Sequence, residues 1–188
     1  MTYFSGLEDA KLVVNVFSRN KERFGPFASF LAQVMAPSDS LDAGAREAIA
    51  LHVSAINNCH YCIGSHRAVL LELGYSQNEI SEVEAGRSSD PRLTALLRFA
   101  GDLTTQPDGT TAEAIASLRA AGASDDDIEA TIALAAAFAF MNRLVDGYGI
   151  KGDAAAFEIV GKSVVAQGYG AVAGALGMKT EVGDGGRK

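Results

Sequence analysis

The sequence predicts an all-α fold, and three observations carry that reading. Apolar residues recur at the three- and four-residue spacing of a helix in nearly every segment. The alternating β-branched runs that mark strands are missing. Between the periodic segments stand residues that start and stop helices: Ser and Asp clusters before them, Gly and Pro after or at their first turn.

Taken in order, a first helix is expected over about 7–19, and a second from about 26 to 36, stopped by Pro37. A third starts after the "SDS" of Ser38–Ser40, whose side chains can cap it, and runs from Leu41 to about Ile56, where "NN" breaks it. A fourth takes in both cysteines and ends at Gly74. Ser76, with Glu79 three residues on, has the form of a capping box for a short helix. Pro91 suits the first turn of the next helix, "PRLTALLRFAGDLTTQ". After the turn "QPDGTT" comes "TAEAIASLRAAG", a short helix with a glycine stop. The acids of "SDDD" then suit the positive end of a long helix that reaches about Asp146. Residues 153–177, rich in alanine and glycine, are expected to form one last helix. The reading is a single helical domain over 1–178 with a flexible tail at 179–188.

Composition narrows the function. A chain of 188 residues with 48% hydrophobic content suits one domain with a sizeable core. The net charge of −7 argues against nucleic acid, since phosphate binding needs clustered Lys and Arg. The first twenty residues lack the pattern of a secretory signal. The longest apolar run, "ATIALAAAFAFM" at 130–141, is expected to be too short for a bilayer, so a membrane role is not expected. The default location is the cytoplasm, where a close cysteine pair is more often catalytic or metal-binding than a permanent crosslink.

That pair is the chemical centre of the sequence. "NNCHYCIGSH" (57–66) holds the chain's two cysteines and two of its three histidines. If a helix begins near Asn58, Cys59 lies in its first turn and Cys62 one turn later, where the helix dipole favours a thiolate. His66 follows Cys62 by four residues, so Cys59, Cys62 and His66 share one stripe, and an imidazole there can take a thiol proton. In the preceding apolar helix, "AIALHVSAI", Glu47 and His52 flank or interrupt a stretch expected to be buried, and a buried carboxylate needs a partner. Because the chain reverses at Asn57 and Asn58, Glu47 is in reach of the cysteine and histidine stripe. The structural alternatives are core packing for the thiols, for Tyr61 and for His52 and His60. Zinc is the chemical alternative: Cys59, Cys62 and His66, with Glu47 or His52 as a fourth ligand, are types zinc accepts. Structural zinc sites usually join two separated ligand pairs, however, and no second pair exists.

Glu47, eleven residues, "CHYC", three residues and His66 resemble the E-x11-C-x2-C-x3-H motif of the AhpD-like alkylhydroperoxidases, within the carboxymuconolactone decarboxylase superfamily. "REAIALHVSAINNCHYCIGSHRAVLLELG" (46–74) is similar to the core two helices of these proteins. "LLRFAGDLT" and "LRAAGASDDDIEATIALAAAFAFMNRLVDGYGI", with the pair Asn142 and Arg143, resemble the downstream half of an uncharacterised peroxidase-related branch. The likeness covers about 25–160. It implies an all-helical AhpD-like domain assembled as a homo-oligomer, a trimer or hexamer. It implies that Cys59 and Cys62 are a redox pair and that Glu47 and His66 relay protons to them. One family pattern has a histidine where this chain has Tyr61, and His60 cannot replace it, because helix neighbours point about 100° apart.

The implied activity is reduction of organic or hydrogen peroxide through a Cys59–Cys62 disulfide. Cys62 is expected to attack, because His66 lies one turn from it, and Cys59 to resolve. No bound cofactor or metal is expected. Re-reduction would come from an external dithiol such as a lipoyl-bearing protein, and the resemblance implies that the domain can in turn reduce a peroxiredoxin. Two other classes stay open: a zinc-binding or redox-sensing module without turnover, and a lactone decarboxylase-like enzyme.

Overall fold

The computed structural model describes residues 2–106 and 108–178. The expected tail at 179–188, and Pro107 of the "QPDGTT" turn, lie outside the described residues. Within them are ten helices and no strand, as the helical periodicity predicts.

Helix α3 (Ala43–Ile56) organises the rest. Every residue from Gly44 to Ser54 on it is buried, which is why its sequence shows no polar face. Around it pack α4 (His60–Glu72), α5 (Gln77–Glu84), α6 (Pro91–Thr105) and α8 (Asp125–Tyr148). The short α7 (Ala112–Ala120) bridges α6 and α8. At the N-terminal side, α1 (Val13–Arg19) leads into α2 (Lys21–Val34), which rests on α8. The C-terminal α9 (Ala154–Gln167) runs along α4, and α10 (Gly170–Ala175) leans on α2. The α4–α9 approach is close: a Cβ on Gly161 would stand 2.8 Å from the Ala68 carbonyl oxygen.

Local chemistry explains most boundaries. Ser76 caps α5 and Glu79 returns the bond to the Ser76 N–H, and Ser124 with Asp127 does the same for α8. Pro91 occupies the first turn of α6 behind the Asp90 cap. Gly74, at φ 93°, closes α4 through bonds from Gly74 N–H to Leu71 O and from Tyr75 N–H to Leu70 O.

Four boundaries differ from expectation. α1 begins at Val13, well after residue 7. α2 begins at Lys21, because the Asn20 side chain caps it by accepting from Arg23 N–H. Pro26 is therefore inside that helix, where its missing N–H leaves the Glu22 carbonyl without its helical donor, and does not start it. The cap of α3 is Asp42, accepting from Ala45 N–H at 2.8 Å, and not the upstream Ser38–Ser40 cluster. The last segment is two helices, broken where Gly168 adopts φ 65° and ψ −178°, a backbone state essentially confined to glycine.

The span of α8 also exceeds its apolar run. At 24 residues it is long and apolar enough to cross a bilayer by length and composition. Half of its most apolar stretch is instead buried inside the fold, where Leu134, Phe138, Met141 and Val145 join the core.

Candidate active site

The turn that separates α3 from α4 builds the site. Asn58 takes a left-handed conformation (φ 54°), which an Asn tolerates better than most residues. The Asn58 N–H then donates to Ala55 O at 3.0 Å and the Cys59 N–H to Ser54 O at 3.1 Å, closing α3. The same residue that ends one helix opens the next: Cys59 is the N-cap of α4. Cys62 is thus in the first turn of α4, and Cys59 one position outside it, half a turn earlier than the spacing alone suggests. Both cysteines are reduced and buried.

This reversal lays α4 back along α3 and brings Glu47 to His66. The His66 Nδ1 is 2.7 Å from Glu47 Oε2, with side-chain exposures of only 3% and 2%. The carboxylate holds the ring by its Nδ1 and leaves Nε2 as the nitrogen it does not engage. Phe138 of α8 packs edge-on against the imidazole, with centroids 4.6 Å apart. All four predicted residues therefore belong to one α3–α4 corner.

Cys62, Ser65 and His66 line a cavity of about 150 Å³ whose other walls are mostly apolar, among them Val13, Phe17, Phe138, Met141 and Val172. The expectation of a depressed thiol pKa at the helix start is not met. The neighbouring Cys59 thiol and burial push the Cys62 thiol well above its ordinary range, opposed by Asn142. A helix terminus contributes at most about 1–2 kcal/mol, less than the loss of water around a buried anion. Cys62 therefore rests as a thiol.

Two residues without an assigned part in the sequence reading belong to this corner. Asn142 of α8, 1% exposed, accepts from Asn57 Nδ2 at 2.9 Å and donates to Ser54 Oγ at 3.0 Å. It ties α8 to the end of α3 and offers its amide to Cys62. Tyr169, just beyond the Gly168 break, lines the cavity. Burial and the Glu47 carboxylate push its phenol well up, so it stays a neutral hydrogen-bond donor beside the His66–Glu47 pair. No local pattern marks Tyr169, since only the packing of α9 and α10 brings it here.

The remaining candidates lie elsewhere. His52 faces α5, its Nδ1 3.1 Å from Glu84 O, and burial lowers its pKa. A Cβ on Gly101 would stand 2.9 Å from its Nε2, so that glycine makes room for the ring. His60 is exposed and rests near Phe157. The Tyr61 hydroxyl accepts from Val13 N–H at 3.0 Å, anchoring α1, and burial pushes its pKa up to about 12. Among the described residues, no group of three or more His, Cys, Asp or Glu is placed to hold a metal ion.

Known proteins resemble this all-helical domain in a segment of sequence and in fold. The carboxymuconolactone decarboxylase family model matches residues 24–102 of this chain. The alkyl hydroperoxide reductase AhpD of Mycobacteroides abscessus is 53% identical over 30 residues, 16% of this chain and 17% of that protein. In fold, the chain is similar to an uncharacterised peroxidase-related protein from Silicibacter sp., with a TM-score of 0.72 and 24% identity over 80% of this chain and 82% of that one. It is equally similar to an AhpD-core, uncharacterised peroxidase-related protein from Ralstonia eutropha, with the same score and identity over 82% and 85%.

Proposed function

We propose that this protein is a thiol-dependent peroxidase acting on hydroperoxides with an apolar organic part. One observation carries the reading: Cys62 and a carboxylate-held His66 open onto the same apolar cavity. A thiol kept protonated by burial is useless as a nucleophile unless a base stands at hand, and the His66–Glu47 pair is that base.

The Cys62 thiol gives its proton to His66, and the thiolate sulfur attacks the terminal peroxide oxygen. An S–O bond forms, the O–O bond breaks, and the departing alkoxide regains the proton as alcohol. Cys59 then attacks the sulfenic sulfur, forming the Cys59–Cys62 disulfide and releasing water. Two thiols have lost two electrons, and the peroxide has gained them. An external dithiol, lipoyl-type groups being the family-like choice, returns the pair to the reduced state by exchange.

The test is the rate of thiol loss when the reduced, metal-free protein meets an organic hydroperoxide, with free cysteine as baseline and mass spectrometry of the product. The expected result is rapid loss of both thiols with a two-hydrogen decrease in mass. A rate no better than that of free cysteine would remove peroxide as the substrate.

A further inference from the structure

Of the two serines that line the cavity beside Cys62, Ser65 and Ser163, only Ser65 is buried, and none of the chemistry above uses it. Ser65 lies three residues after Cys62 on α4, on the same stripe, and is only 8% exposed. It lines the cavity between the two reactive residues of its helix, Cys62 and His66. Its Oγ is buried and forms no hydrogen bond among the described residues. The Tyr61 phenol stands close enough to feel the hydroxyl, yet the two do not meet with hydrogen-bond geometry, and the Tyr61 oxygen accepts from the Val13 N–H.

A buried hydroxyl without a partner is destabilising, and among the described residues only Ser29 Oγ and Asp127 Oδ1 share that condition with Ser65 Oγ. On this corner the other buried polar groups are paired: Glu47 with His66, and Asn142 with Asn57 and Ser54. The unpaired group is the one that faces the space where a ligand must sit to reach the sulfur.

We infer that Ser65 is a catalytic residue that donates its hydroxyl hydrogen to the alkyl-side oxygen of the bound hydroperoxide. This deepens the peroxidase reading and rests on it. As the sulfur takes the terminal oxygen, the O–O electron pair moves onto the alkyl-side oxygen, where negative charge grows. The Ser65 hydrogen bond strengthens as that charge develops, in a site where little water competes. Ser65 keeps its own proton throughout; the proton that completes the alcohol is the one His66 took from Cys62. The same contact orients the peroxide so that its terminal oxygen, and not the alkyl-side one, faces Cys62.

The experiment compares wild type and Ser65→Ala in two reactions of Cys62, with tert-butyl hydroperoxide and with iodoacetamide, each followed as a second-order rate. The peroxide rate of the variant is expected to fall by about 10²- to 10³-fold, the scale of one lost oxyanion donor. Alkylation should be unchanged, since it needs the thiolate but no peroxide donor. Equal losses in both reactions would make Ser65 part of the thiol's environment, and no loss in either would make it idle; both overturn the inference while leaving the peroxidase reading intact. The melting temperature of Ser65→Ala is expected to match or exceed that of wild type, because an unpaired hydroxyl is removed. A clear drop would mean the hydroxyl is bonded in the resting fold, which also overturns the inference. A wild-type peroxide rate no better than free cysteine overturns both readings at once.

Discussion

His66 Nδ1 and Glu47 Oε2 stand 2.7 Å apart in a pocket that leaves almost no surface of either side chain exposed. A carboxylate so deeply buried is held by its partner, and the partner's ring is held by it. The two come from helices that meet only because the chain reverses at Asn57 and Asn58.

Replacing Glu47 by Gln keeps the shape and an acceptor for Nδ1–H but removes the charge that supports a protonated ring. The protein is expected to fold, with helical circular dichroism unchanged, while the hydroperoxide rate falls by about 10²- to 10⁴-fold. Retention of the full rate in a folded variant would remove Glu47 from the relay.

The two cysteines are separable. Cys62→Ser should abolish peroxide-induced sulfenic acid, read with a dimedone-type probe. Cys59→Ser should still form it at Cys62 and accumulate it, because the resolving thiol is gone. Rapid sulfenic acid at Cys59 in the Cys62→Ser protein would reverse the assignment made from the cavity lining.

Tyr169→Phe removes a hydroxyl beside the Glu47 carboxylate and leaves the ring that closes the cavity. A roughly tenfold slower peroxide reaction is expected, the scale of about one lost hydrogen bond to a charged group. The denaturation midpoint is expected to fall as well, because the buried carboxylate loses the same bond in the resting fold. An unchanged rate would make the residue a plug for the cavity only.

Alkali should destabilise the fold in a defined way. The folded chain holds the Cys62 proton beyond its ordinary 9.0 and the Tyr61 proton to about 12 from 10.0. The unfolded chain releases both protons first, so this stability is complete below the unfolded values and is lost as pH rises through the folded ones. Denaturant midpoints are expected to start falling just above pH 9.0 in wild type. In Cys62→Ser the fall should begin later, near the 10.0 of an ordinary tyrosine. Superimposable curves would mean that the Cys62 thiol is not buried as described.

Asn142→Ala would strand the buried Ser54 hydroxyl and the Asn57 amide. A loss of about 1–3 kcal/mol in unfolding free energy is expected from one buried polar group left unpaired. The same variant should raise the pH at which Cys62 alkylates, because Asn142 stabilises the thiolate. A loss of stability with no such change would confine Asn142 to holding the helices.

The helices were legible because their signals are local. Ser76 with Glu79, Ser124 with Asp127, Pro91 and Gly74 each act within one turn of their own position, so spacing alone locates them. Asn20 and Asp42 were harder to read, because each competes with a louder neighbour, Pro26 and the Ser38–Ser40 cluster. Cys59, Cys62 and His66 were equally readable, since one helix stripe contains them, and the double Asn announced the reversal that brings Glu47 into range.

What the linear chain determined, then, was the helical class, the reversal at Asn57–Asn58 and the four residues it gathers, because all of these follow from contacts within a turn or across one hairpin. Tertiary structure alone decided that Cys62 rests protonated, that Asn142 and Tyr169 join the site, that Ser65 is left facing an apolar cavity, and that His52 serves α5 and not the thiols. Those outcomes depend on how α8, α9 and α10 close over the α3–α4 corner. Burial, desolvation and the satisfaction of polar groups are properties of surfaces brought together from distant parts of the chain, and periodicity cannot encode them.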